Sequence, residues 1–170
     1  DNGIPAESVI SITNDIVVDD IDITLNIFHV NDSDLEIKLV APNNATEVML
    51  SDRNGGSGSN YTNTVFDDDA GAGIGSGSAP FEGILTPDGD LNDFNGLSAL
   101  GDWKLVVTDR LGNSLGGALL DWTIRICART PALSIGDNDM SDDSFEVIYN
   151  EDNRYLVKLR TSSINDQLDL

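Results

Sequence analysis

The sequence predicts an all-β protein, built as an antiparallel β-sandwich or jelly roll. Apolar and polar residues alternate with a period of two in several short runs, and turn-forming residues separate these runs. Val, Ile, Thr and Leu dominate them, and no stretch offers the roughly twelve residues of helical periodicity that a helix needs. Many short strands with Gly-rich turns are typical of sandwiches and jelly rolls.

Six runs are predicted to be strands with one wet face, because their alternate positions are polar. In chain order they are 9–18, 22–30, 35–41, 47–50, 103–108 and 120–127. Residues 42–44 and 111–113 have turn chemistry, the second between two runs that could pair. Residues 90–94 are predicted to form one short helical turn.

The 170 residues, of which 39% are apolar, suffice for one core but not for two. We therefore expect one main domain with a small appendage. No apolar run approaches the roughly 18 residues of a membrane span, and the N-terminal residues lack the basic and apolar regions of a signal peptide. The sequence thus predicts a soluble chain with neither feature.

Charge limits the possible partners. Thirty acidic and nine basic residues give a net charge of −21, which would repel a phosphate backbone and argues against nucleic acid as a partner. The aspartates lie beside Gly, Asn and Ser, as in oxygen-rich Ca²⁺ loops; a surface adapted to salt or cold is the alternative explanation. The single cysteine, Cys127, excludes an internal disulfide and a Cys-based zinc site.

A long stretch, 51–102, has few strand-like runs, and a compact domain seldom carries such a stretch unless it is functional or held by a ligand. Within it, residues 66–80 set three aspartates against a run of Gly, Ala and Ser. The hypothesis is a fixed Ca²⁺-binding loop whose glycines let carbonyls turn inward. The alternative is a solvated acidic loop.

Carboxylates near two other strand ends could share in calcium binding, since Ca²⁺ takes about six to eight oxygen ligands. Unneutralised clustering would instead raise pKa values or push the loop apart. The predicted ligands are Asp34, Asp67, Asp68 and Asp109, followed by Asp32 and Asp69. The stretches 88–99 and 137–139 imitate Ca²⁺ loops but lack required residues, so they are predicted to be turns.

No arrangement of residues favours catalysis by this segment. His29 is the only histidine, and alternation places it opposite Phe28, so we expect it to hydrogen-bond a neighbouring loop. Trp103 and Trp122 sit inside strand patterns and are expected in the core. A carbohydrate-binding face needs exposed rings, for which the only candidates lie in the long stretch: Tyr61 and Phe81.

Several motifs in order resemble the P domain (Homo B domain) of kexin- and furin-type proprotein convertases, a module also appended to secreted bacterial proteases. The resemblance covers about residues 8–127 and rests on HVNDSDLEIKLVAPNNATEVML, LSDRNGGSGSNYTNTVFDDDA, SGSAPFEGILTPDGDLNDFNG and GDWKLVVTDRLGNSLGGALLDWTIRIC. The family usually has Gly before its Asp-Leu pair, where this chain has Ser33. The tail SFEVIYNEDNRYLVKLRTSSINDQLDL resembles the start of a type IX secretion C-terminal sorting module.

The resemblance implies a jelly-roll sandwich of about eight strands without catalytic residues of its own. It implies domains at 1–130, the P domain, and 131–170, a hinge and the truncated start of a sorting module. Such a P domain stabilises or regulates a catalytic protease domain of the same parent chain, a serine endopeptidase or metallopeptidase, in a bacterial secreted or cell-surface protein. In such proteins a Cys at the place of Cys127 often has a partner, which here would lie before residue 1.

A second hypothesis is an extracellular binding module for polysaccharide or a protein substrate. Retention of the isolated domain on insoluble substrates would favour that hypothesis. A self-contained enzyme, the third possibility, would require turnover by this segment alone.

Overall fold

The computed structural model describes residues 3–111, 116–129, 144–150 and 154–159. Within these residues the strands form two sheets around one hydrophobic core. The first sheet is antiparallel throughout and has, in spatial order, β1 (Ala6–Ile12), β7 (Gly101–Asp109), β3 (Leu35–Val40) and β4 (Glu47–Asp52).

The second sheet has six strands. Their spatial order is β10 (Arg154–Leu159), β9 (Ser144–Asn150), β8 (Ala118–Arg129), β2 (Val17–Phe28), β5 (Tyr61–Phe66) and β6 (Phe81–Leu85). Three 3₁₀ turns lie between strands, at Asp32–Asp34, Ile74–Ser76 and Leu91–Phe94. The last of these confirms the short helical turn predicted for 90–94.

Both tryptophans lie in the core, as predicted. Trp103 on β7 is fully buried, meets the ring of Phe94 edge-on at 5.2 Å and donates its indole N–H to the Ala99 carbonyl at 2.9 Å. Trp122 on β8 donates to the Ser8 hydroxyl at 2.9 Å. Each ring thus buries its apolar body while its polar N–H keeps a partner.

The predicted sandwich is confirmed, but the run 9–18 is not one strand. β1 ends at Ile12 in the four-stranded sheet, and β2 begins at Val17 in the six-stranded sheet. Period-two alternation continues on both sides of this corner, so the pattern hides the change of sheet. The strands on either side of the predicted 111–113 turn, β7 and β8, likewise lie in different sheets and do not pair; residues 112–115 lie outside the described residues.

β5 and β6 lie inside the stretch that was predicted to be largely irregular, and they pair in parallel. Their alternation is broken, because the β2–β5 register shifts between Leu25 and Ile27, while Asn63 and Gly83 have positive φ angles of 46° and 80°. Such irregular strands bury residues without strict alternation, which explains why the sequence pattern missed them.

The tail predicted to begin a second module contributes β9 and β10, which pair with each other. β9 also pairs with the last part of β8, from Ile126 to Arg129. The hinge predicted from residue 131 and the 137–139 turn lie outside the described residues, so the domain boundary stays a prediction. Over the described ranges, no helix combines the length and apolar character required to cross a membrane.

Candidate functional site

Two groups of aspartates mark opposite ends of β5. Tyr61, at its start, pairs with Ile27, whereas Phe66, at its end, pairs with Ile23. Six strand residues span about 17–20 Å, so one ion cannot bind to both groups. We call Asp32, Asp34, Asp109 and His29 the buried acidic cluster, and Asp67, Asp68, Asp69 and Asp90 the turn acidic cluster.

The buried acidic cluster forms where β2 ends and the chain turns into β3. Asp32 and Asp34 lie in the 3₁₀ turn and are both fully buried. Asp109 joins them because it pairs with Leu35, the first residue of β3. Ser33 fits between the two aspartates because a right-handed 3₁₀ turn does not require glycine.

Asp32 is a buried carboxylate with one free oxygen. Its Oδ1 accepts a hydrogen bond from the Asn60 amide at 2.9 Å, whereas its Oδ2 is buried and has no hydrogen-bond partner. Burial raises the pKa of Asp32 to about 6, although the Asn60 amide and the nearby His29 oppose this rise. A buried carboxylate oxygen without a partner lowers the stability of the folded state. A proton, a water molecule or a cation bound to Oδ2 would remove that cost.

His29 is buried against the loop that ends at Asn60, and its backbone amide donates to the Asn60 side-chain oxygen at 3.1 Å. Its ring Nδ1 lies 2.9 Å from the Asn31 carbonyl, while Nε2 has no hydrogen-bond partner and lies 3.8 Å from Asp109 Oδ2. The expected hydrogen bond to a neighbouring loop thus comes from the backbone amide, whereas the ring bonds within its own loop.

Gly55 brings the neighbouring loop against this cluster. Its φ is +94°, and a Cβ there would lie 2.8 Å from the Phe81 ring and 3.1 Å from the Asp32 Cβ. Only glycine combines that backbone conformation with so close an approach.

The two rings considered for carbohydrate binding are buried. Tyr61 and Phe81 expose 1% and 2% of their surface, and their centroids lie 4.9 Å apart. The Tyr61 hydroxyl lies 2.9 Å from the Ser51 hydroxyl, and burial raises the pKa of Tyr61. A polysaccharide module would therefore lack the aromatic platform suggested by the sequence.

The turn acidic cluster uses its carboxylates to hold turns. Asp67 Oδ1 accepts from the Asp69 amide at 2.7 Å, and Asp68 Oδ2 accepts from the Asn92 backbone amide at 2.9 Å. Asp90 caps the 3₁₀ turn by accepting from the same amide at 3.0 Å, so this part of 88–99 is a turn, as predicted. Burial raises the pKa of Asp68, and hydrogen bonding to Asn92 lowers the pKa of Asp90.

The loop 66–80 is held by the protein chain itself. Ile74 is fully buried and its amide donates to the Thr86 carbonyl at 2.9 Å, while the Thr86 amide donates to the Ala72 carbonyl at 2.8 Å. The Asp67 amide donates to the Leu85 carbonyl. These backbone hydrogen bonds tie the loop to the end of β6 and to Thr86 beyond it.

The six predicted ligands thus divide into two sets of three. Within the part of the chain that the structure describes, no three His, Cys, Asp or Glu side chains come together closely enough to hold a metal ion by themselves. A calcium site at either end would need carbonyl or amide oxygens as well, which Ca²⁺ accepts. Sequence reasoning missed Asn60 and Gly55, because neither forms a metal-binding pattern.

The comparisons with known proteins agree with this fold. Residues 18–126 match the model of the proprotein convertase P-domain family. No curated protein matches the chain. P domains are generally non-catalytic accessory domains.

Solved structures with the same fold include the Aeromonas sobria serine protease in complex with its chaperone, which is 21% identical, with a TM-score of 0.52 over 77% of this chain. The same protease alone is 24% identical, with a TM-score of 0.39 over 71% of this chain. This chain covers 24% and 19% of those two chains, or about a quarter and a fifth of their length. The family match over most of the sandwich shows that the chain belongs to the proprotein convertase P-domain family.

Proposed function

We propose that this chain is the accessory P domain of a secreted bacterial protease, and that it stabilises or regulates the catalytic domain of the same parent chain. The family match over 18–126 carries this proposal. The similarity to a serine protease supports it and favours a serine endopeptidase over a metallopeptidase as the parent. A tethered neighbour that binds only the folded catalytic domain stabilises it by mass action.

The accessory role is tested by deleting the P domain from the parent protease. We expect the deletion to shorten the half-life of protease activity at raised temperature, because the tethered partner is lost. An unchanged half-life, together with an unchanged substrate profile, would contradict the proposal.

We further propose that Ca²⁺ braces the sandwich at the buried acidic cluster. The buried, unpartnered Oδ2 of Asp32 supports this location, and Asp34 lies two residues away in the same buried turn. A bound cation would neutralise these carboxylates and join the β2–β3 turn to the loop ending at Asn60. Asp109 would act from the edge of the cluster, whereas the aspartates at 67–69 shape their own turn.

Calorimetric titration of the chelator-treated chain with Ca²⁺ tests the brace. We expect heat and a raised melting temperature in the wild type, loss of both in Asp32→Asn, and retention of both in the control Asp69→Asn. If Asp68→Asn alone lost the heat and the rise in melting temperature, the ion would bind at the turn acidic cluster instead. If the wild type showed no heat, the proposed calcium brace would be contradicted, whereas the proposed accessory role would be unaffected.

The tail, residues 131–170, is proposed as the start of a type IX sorting module. Only its resemblance in sequence supports this role. Fusion of the complete module to a reporter protein should direct it to the cell surface of a bacterium with that secretion system. A reporter retained in the periplasm would contradict the assignment.

A further inference from the structure

The outer face of the four-stranded sheet carries a shallow depression of about 310 Å³. Residues from all four strands line it, and they alternate between charged and apolar side chains. Across the sheet, Glu7, Val106 and Lys38 form one row, and Val9, Lys104 and Val40 form the next.

Most of the described cations gather on this face. The structure describes the side chains of five Lys and Arg residues, and three of them line the depression: Lys38, Lys104 and Arg110. Three glutamates line it too: Glu7, Glu36 and Glu47. The lining of the depression is therefore neutral in a chain whose net charge is −21, so another acidic protein surface meets little repulsion here.

Two of the three cations are already paired with carboxylates. Arg110 Nε donates to Glu36 at 2.9 Å, and Lys38 Nζ lies 3.2 Å from Glu47. The Arg110 hydrogen bond lowers the pKa of Glu36, and the Glu47 hydrogen bond raises the pKa of Lys38. Both pairs therefore stay charged over a wide range of pH.

Lys104 differs from the other two cations. Its Nζ donates to the neutral side-chain oxygen of Asn44 at 2.8 Å. No carboxylate among the described residues lies within ion-pair distance of it. Its neighbour in the register, Val9, is 50% exposed. A cation available for pairing beside an exposed apolar side chain suits a protein interface.

The strands of the six-stranded sheet also expose apolar side chains, Phe28 and Ile84, but its described polar groups are already paired. There, Asn26 donates to Asp121 at 2.7 Å and its side-chain oxygen accepts from the Asn63 amide at 2.6 Å. The cation whose side chain is described there, Arg125, is paired with Asp22 at 3.0 Å. The polar groups of that face are thus largely satisfied within the sheet.

We propose that the catalytic domain of the same parent chain docks on the outer face of the four-stranded sheet. It would place an apolar side chain over Val9 and Val40 and a carboxylate opposite Lys104. Because the two domains are tethered, a modest interface suffices. This inference rests on the proposed accessory function.

The test compares three single-substitution variants of the parent protease. Lys104→Gln and Thr123→Glu each change the net charge by one negative unit, but Thr123 lies on β8, in the other sheet. Lys104→Glu adds repulsion. We expect Lys104→Glu to shorten the half-life of activity at raised temperature by about fivefold, which corresponds to about 1 kcal/mol, and Lys104→Gln to shorten it less. Thr123→Glu should have no effect.

Lysine acetylation, followed by mass spectrometry, tests the same contact without a variant. Lys104 should react more slowly in the parent protease than in the isolated chain, whereas Lys158 in the tail serves as the control. Equal rates for Lys104 would overturn the docking face, as would protection in the isolated chain that grows with concentration, because a second copy would then cover it.

Failure of this inference differs from failure of the accessory function. If deletion of the P domain shortens the half-life but Lys104→Glu acts like Thr123→Glu, the docking face is wrong and the accessory function stands. If deletion has no effect, both proposals fall.

Discussion

The aspartates of the two acidic clusters differ in their hydrogen bonding. In the turn acidic cluster, Asp67 and Asp68 accept backbone amides and shape the turns around them. In the buried acidic cluster, Asp32 is fully buried and keeps one oxygen without a partner. An aspartate that caps a turn stabilises by itself, whereas a buried aspartate with a free oxygen depends on what else reaches it.

The difference shows that the local density of aspartates is a poor guide to a binding site. The three consecutive aspartates at 67–69 have the stronger sequence signal, but Asp67 and Asp68 already accept backbone amides and Asp69 is exposed. Asp32 stands out only because of its burial. The following predictions test whether the two ends of the sandwich differ as described.

The largest effect is expected where the loop meets the buried acidic cluster. Gly55→Ala would force a positive φ on an L residue and push its Cβ to 2.8 Å from the Phe81 ring. Together these costs should lower the free energy of unfolding by about 2–5 kcal/mol. Urea denaturation measures the change.

Gly56→Ala is the matched control for this substitution. Gly56 also has a positive φ, +57°, but a Cβ there would meet nothing within 4 Å. Only the backbone cost of about 1–2 kcal/mol should remain. Equal losses in the two variants would show that the approach of Gly55 to Phe81 and Asp32 has no energetic consequence.

The second effect is a pH dependence caused by Asp32. Its pKa is about 6 in the folded chain and 3.8 when unperturbed, so between these values the folded state holds a proton that the unfolded chain has released. The free energy of unfolding should therefore fall as pH rises from about 4 to 6, by up to about 3 kcal/mol. Asp32→Asn should lack this contribution, as denaturation at several pH values would show.

Calcium should change this pH dependence if it binds as proposed. A bound cation favours the ionised carboxylate, so millimolar Ca²⁺ should abolish the fall in wild-type stability and leave Asp32→Asn unaffected. Parallel stability curves of the wild type and Asp32→Asn without calcium would contradict the raised pKa.

The smallest effect is expected in the turn acidic cluster. Asp68→Ala removes one of the two acceptors of the Asn92 backbone amide, together with the acceptor of the Asn92 side-chain amide, and should cost about 1 kcal/mol. Asp69→Ala alters an exposed side chain and should stay within about 0.5 kcal/mol. Thermal melts of both variants make the comparison; a larger loss for Asp69 would mean that its carboxylate has a role that the turn does not explain.

The sequence predicted the sandwich because most of its strands alternate regularly. The runs around β3, β4, β7 and β8 were placed correctly, since one face of each meets the core. β5 and β6 were missed because shifted registers and positive φ angles break their period. Local patterns cannot show such interruptions, which arise from pairing between distant segments.

The candidate site was predicted less completely. The sequence brought attention to Asp32, Asp34 and Asp109, and the fold places these three at one end. It could not show that the aspartates at 67–69 lie at the other end, because that depends on the direction in which β5 runs beside β2. Nor could it identify Asn60, whose amide reaches Asp32 across 28 positions of sequence.

The parallel pairing of β5 and β6 has a consequence for the connection between them. Two neighbours that run in the same direction cannot be joined by a hairpin, so the 14 residues 67–80 must return along the length of a strand before β6 begins. That return takes about six extended residues, and the remaining residues form the turns on either side of the buried Ile74. Variants with fewer than about six connecting residues should be unable to bridge the distance, whereas added residues should be accommodated at the exposed glycines.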